Sequence, residues 1–111
     1  MKAVVLTALK GSITKWKKIV AETGVDDGTT NCPLCQMFFD RGCLGCPVSR
    51  KVGLSNCEGT PWVNWARIHN GAFPYTIENE EHEHFARAEL GFLQALLPEK
   101  KKTVKKAKKR L

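Results

Sequence analysis

The sequence predicts a mainly α fold in which two or three helices pack with an irregular, cysteine-rich loop, and three observations carry that expectation. Near the N terminus Leu6, Leu9, Ile13, Trp16 and Val20 recur at alternating steps of three and four, which sets all five on one helical face. A second apolar stripe, Phe85, Ala86, Leu90, Phe92, Leu93, Leu96 and Leu97, lies near the other end. Between them, from Thr29 to Thr60, the helical period lapses, and all five cysteines fall there among Pro, Gly and polar residues.

The first stripe is read as a helix whose lysines Lys10, Lys15, Lys17 and Lys18 avoid the apolar line. Gly11-Ser12 is expected to divide it, because glycine weakens a helix interior and Ser12 is a good N-cap for a helix starting at Ile13. Gly24 suits the C-terminal stop, and Asp26-Asp27-Gly28 reads as a turn. After the cysteines, Pro61 opens a short helix through Trp62, Trp65 and Ile68 that Gly71 and Pro74 end. A long terminal helix is expected from Thr76 as its cap, with Glu78, Glu80, Glu81 and Glu83 where a helix start favours negative charge, and with Pro98 closing it.

The cysteines form two C-x2-C pairs, Cys32/Cys35 and Cys43/Cys46, followed after ten intervening residues by Cys57. Thiolates three residues apart can both point at one tetrahedral ion, which is the geometry zinc accepts. The 26 residues from Cys32 to Cys57 contain few apolar side chains. Ordering them costs on the order of 1.5 kcal/mol each. A structural zinc site contributes roughly 10–16 kcal/mol of apparent binding energy. One structural Zn2+ on Cys32, Cys35, Cys43 and Cys46 is therefore expected, with Cys57 able to substitute for Cys43 or Cys46. Four thiolates close the coordination sphere and leave no place for a reactive water, so no catalytic residue is assigned and the chain is read as a non-enzyme. An iron–sulfur cluster also takes four thiolates, and Cys46-Pro47 is similar to a ferredoxin signature, but the nested ferredoxin spacing is absent.

Cys32-Pro33-Leu34-Cys35 resembles the knuckles of zinc-ribbon proteins, although seven residues between the pairs suit one hairpin and a turn better than a full ribbon. Ser12-Ile13-x-Lys15-Trp16, Gly45-Cys46-Pro47, Cys57-x-Gly59-Thr60-Pro61-Trp62 and the terminal amphipathic helix together resemble small cysteine-rich proteins encoded in phage and prokaryotic genomes. That resemblance implies no active site.

His82 and His84, one residue apart on a helix, point about 160° apart and are read as solvated; His69 is read as a surface histidine or a neighbour of the metal site. The three tryptophans are read as core rather than as a stacking platform for bases, for which Lys15, Lys17, Lys18 and Arg67 would be the basic companions.

The net charge of +7 sits at one end. Residues 99–111 hold eight bases (Lys100, Lys101, Lys102, Lys105, Lys106, Lys108, Lys109, Arg110) and one acid, while residues 1–98 hold ten of each. The organisation read from this is a single zinc-stapled helical domain over 1–98 and a disordered Lys-rich tail over 99–111. No run of about eighteen apolar residues would span a membrane, and Lys10 interrupts the short Ala3–Leu9 stretch, so neither a transmembrane helix nor a signal peptide is expected. Paired cysteines in an odd total favour a reducing compartment, hence the cytoplasm. The function expected is a zinc-binding module that binds nucleic acid, the tail gripping phosphates. The alternative is a protein-interaction module, of the kind with which a phage engages or inhibits a host protein, the tail then meeting an acidic surface; an iron–sulfur or redox role comes third.

Overall fold

The computed structural model describes residues 1–54 and 57–98; the basic tail, with Lys100 to Lys102, Lys105, Lys106 and Lys108 to Arg110, lies outside the described residues. Among the described residues the chain is mainly helical, with five α-helices and no strand. They are α1 (Ala3–Val20), α2 (Pro33–Phe38), α3 (Pro47–Val52), α4 (Pro61–Arg67) and α5 (Glu80–Gln94), with 3-10 turns at Gly28–Asn31 and Phe39–Arg41.

α1 runs unbroken through Gly11-Ser12, so the expected division does not occur. The pair is a docking notch. A Cβ on Gly11 would stand 2.9 Å from Pro33 Cγ, so only glycine lets the start of α2 come this close without a shift. Ser12 is buried, and its Oγ accepts the Leu34 N–H at 3.3 Å, which gives α2 a partner for one of its orphan N-terminal donors. Leu9, Ile13 and Trp16 are buried as the periodicity implies, Leu6 and Val20 are half-buried at the ends, and Ile19 joins the core.

α4 opens with Pro61 at its first position, and Thr60 Oγ1 accepts the Trp62 N–H at 3.2 Å. α5 starts later than expected. Its cap is Asn79, not Thr76: Asn79 Oδ1 accepts the His82 N–H at 2.7 Å, and Glu80, Glu81 and Glu83 occupy the first turn. It also ends at Gln94, ahead of Pro98, with Leu96 and Leu97 half-buried in the turn that follows. α5 packs on α1 and on α4, with Ala86 and Leu93 buried, and α1 packs on α2.

The cysteine segment is less irregular than its composition suggests. Cys32 and Cys46 each stand directly before a helix whose first residue is proline, Pro33 in α2 and Pro47 in α3. Proline's fixed φ suits a first helical turn, so the Cys-Pro step starts a helix here where the resemblance implied a knuckle hairpin. Leu34, Phe38 and Val48 turn inward from these short helices.

Candidate metal centre

All five cysteines line one cavity of about 260 Å³. Cys32 and Cys35 reach it from the start of α2, Cys43 and Cys46 from the turn before α3, and Cys57 from the stretch before α4. Cys57 thus shares the wall with the other four. α1 closes one side with Ser12 and Trp16, and α5 another with Glu89 and Leu93. Among the described residues no three Cys, His, Asp or Glu side chains are gathered as ligands of a single ion.

Two cysteines hold their positions at a conformational cost. Cys43 has φ 67° and Cys57 φ 61°, in the left-handed region, where an ordinary residue sits roughly 1–2 kcal/mol above its relaxed state. Glycine would occupy either position more easily. At Gly45 the demand is reversed: φ is 90°, and a Cβ would press on the Phe38 ring at 3.3 Å.

The sulfurs act on one another electrostatically. A hydrogen bond from Cys35 is the main influence on the Cys32 thiol and, with the Lys15 charge, brings it down to about 6 against the opposing effect of burial. Cys35, the donor in that bond, is pushed up, by the bond and then by burial. Burial raises Cys46, and burial with the nearby Glu89 carboxyl pushes Cys57 up to about 12. Ser12 Oγ stands 3.7 Å from Cys32 Sγ.

Glu89 is the unanticipated member of the wall. It is only 3% exposed, and its Oε1 has no hydrogen-bond partner among the described residues. Burial, followed by the charge of Cys32, pushes its carboxyl up to about 8. A sequence signal existed: Glu89 falls in the inward register of Ala86 and Leu93, at steps of three and four.

Beside the cavity, Asp26 gathers four donors. Lys15 Nζ (2.8 Å) and the Gly28 N–H (2.9 Å) bond Oδ1, and the indole N–H groups of Trp62 and Trp65 bond Oδ2 at 2.9 Å each. Burial would raise the Asp26 carboxyl, but Lys15 and the other donors outweigh it and hold the group below its usual range. The residue read as part of a turn is therefore a fully buried hub, tied also to Tyr75 through reciprocal backbone bonds. Lys15, read as an accessible base, has a side chain 8% exposed and is paired with this carboxylate, which removes it from the nucleic-acid candidates.

Trp65 is fully buried, edge-on to Trp16 at 5.3 Å, and Trp62 is half-buried, so the tryptophans belong to the core. His82 corrects its solvated reading: it is 6% exposed, accepts the Glu78 N–H on Nδ1 at 3.0 Å and stacks on His69 at 3.9 Å. His84 is exposed. Both ring nitrogens of His69 face backbone carbonyls, Nδ1 the Trp65 oxygen at 2.7 Å and Nε2 the Thr76 oxygen at 2.8 Å. Neither is directed at a metal.

The lining of the cavity offers five soft sulfur donors and one carboxyl oxygen with no hydrogen-bond partner among the described residues. Comparison with protein-family models, curated proteins and solved structures finds no match. No helix among the described residues is long and apolar enough to cross a membrane.

Proposed function

We propose that the cavity holds a metal–thiolate centre, that this centre keeps the 32–57 segment folded, and that the chain is a non-enzymatic binding module built around it. The supporting observation is the convergence of all five cysteines on one cavity, two of them held in left-handed backbone to do so. Soft thiolates select zinc, copper(I) or iron–sulfur centres over hard cations. Zinc on Cys32, Cys35, Cys43 and Cys46 is the mononuclear form of this reading. The basic stretch from Lys100 to Arg110 then supplies phosphate affinity, and the folded part gives the complex its position.

Elemental analysis of protein purified without chelator tests the first half. At least one equivalent of a thiophilic metal is expected, with loss of α2 and α3 when a chelator removes it. Metal-free protein whose helicity and stability ignore chelators would end the proposal. A protein-interaction role draws on the same segment, where Phe39, Leu44 and Leu54 are exposed. A pull-down repeated after nuclease treatment separates the two: partners lost with nuclease support nucleic acid, and those retained support a protein.

A further inference from the structure

Resting on the metal–thiolate reading, we infer that the occupant is an iron–sulfur cluster of the 4Fe–4S type, held by four of the five cysteines, with Glu89 as a further donor on the wall. Size is the first argument. Zn–S bonds of about 2.3 Å bring four tetrahedral sulfurs to about 3.8 Å from one another with nothing but the ion between them. The cavity of about 260 Å³ equals the share of about nine waters at roughly 30 Å³ each. Its walls stand on separate packed elements, α1, α2 and α5, whose Trp16, Leu34 and Leu93 are buried in the core.

The arrangement of the donors is the second argument. Five thiols and a carboxyl line this space, and among the described residues no three of them are gathered as ligands of a single ion. Glu89 Oε1 is buried on this wall with no hydrogen-bond partner among the described residues, which leaves it open to contact with the occupant. A 4Fe–4S cluster brings its own bridging sulfides, fills the volume with them and asks only four thiolates of the protein.

Loading by ligand exchange balances simply. Each cysteine S–H gives its proton to a departing small thiolate as an Fe–S bond to that thiolate is replaced by one to the cysteine, and no electron moves. The test uses the full chain, kept free of oxygen, mixed with a preassembled 4Fe–4S cluster ligated by a small thiol and then desalted; a parallel sample receives Zn2+. Equal retained iron and acid-labile sulfide, near four of each per chain, with sulfide-to-iron charge-transfer absorption, is the expected result. Retention of one zinc with no iron or sulfide would overturn the cluster and leave the metal–thiolate reading standing; retention of neither would overturn both. Single Cys→Ser variants should lower cluster retention at least tenfold at four positions and not at the fifth, while five unaffected variants would overturn the assignment. Glu89→Gln keeps the side chain's shape, and its far-UV circular dichroism controls for folding. It should lose iron to a ferrous chelator several-fold faster than the parent, and an unchanged rate would remove Glu89 from the donor set.

Discussion

Ser12 lies in the middle of α1, yet its hydroxyl serves Leu34 at the start of α2, accepting that backbone N–H at 3.3 Å. The contact joins one wall of the cavity to the longest helix of the domain. Ser12→Ala would leave the Leu34 N–H buried without its acceptor, which costs about 1–3 kcal/mol. Urea unfolding should show a lower midpoint with an unchanged slope, and a variant equal to the parent would mean that water replaces the hydroxyl.

Asp26 and Lys15 form a pair with side chains 0% and 8% exposed. Asp26→Asn strands the Lys15 charge and presents an amide group where four donors converge, so a loss of about 3–5 kcal/mol is expected. The pH dependence follows in sign. The folded carboxyl lies below its ordinary 3.8, so its contribution is fully present above that value and is lost as pH falls through the folded one. Urea midpoints measured from pH 6 downward should converge for parent and variant in acid, and parallel curves would contradict the shift.

Leu93 is 2% exposed where α5 meets α1. Leu93→Ala should cost about 2–5 kcal/mol. Glu80→Ala, at an exposed position, should change stability by about 0.5 kcal/mol or less. Thermal unfolding checks both, and similar small shifts at the two sites would show that the α1–α5 face contributes little.

Deleting residues 100–111 should weaken nucleic-acid binding across sequences. With about six phosphates neutralised on duplex DNA, the slope of log affinity against log salt for the intact chain should be about −5, flattening after deletion. Fluorescence anisotropy over a salt series measures it. No association with DNA or RNA at low salt would assign the tail another role.

Much of the helical frame was legible because it depends on local order. The stripe Leu9, Ile13, Trp16 and the Pro61 helix start follow from spacing and from proline's fixed φ. Boundaries were less so: Thr76 and Asn79 are both plausible caps, and the choice of Asn79 accompanies the burial of His82 three residues on. In the site, the cysteine spacing pointed to sulfurs that converge, and both pairs and Cys57 do line one cavity. Asp26 and Glu89 were not read as buried because their surroundings are long-range. Trp62 and Trp65 lie 36 and 39 residues from Asp26, and a carboxylate reads as solvent-facing until the fold encloses it. The same holds for Lys15, whose partner is eleven residues away.

The bond from Trp62 to Asp26 spans the base of the cysteine segment, bringing together the residues that flank it on either side. For a flexible chain, meeting of ends 36 residues apart carries an entropic cost of about 3 kcal/mol beyond a constant term. Here the protein closes that loop with its own side chains, so on the proposed metal–thiolate reading an arriving metal would have only the interior of an already closed loop to order. Loading and release would then proceed on a standing scaffold of α1, α4 and α5, and the rate of uptake should follow ligand capture and not refolding of the whole chain.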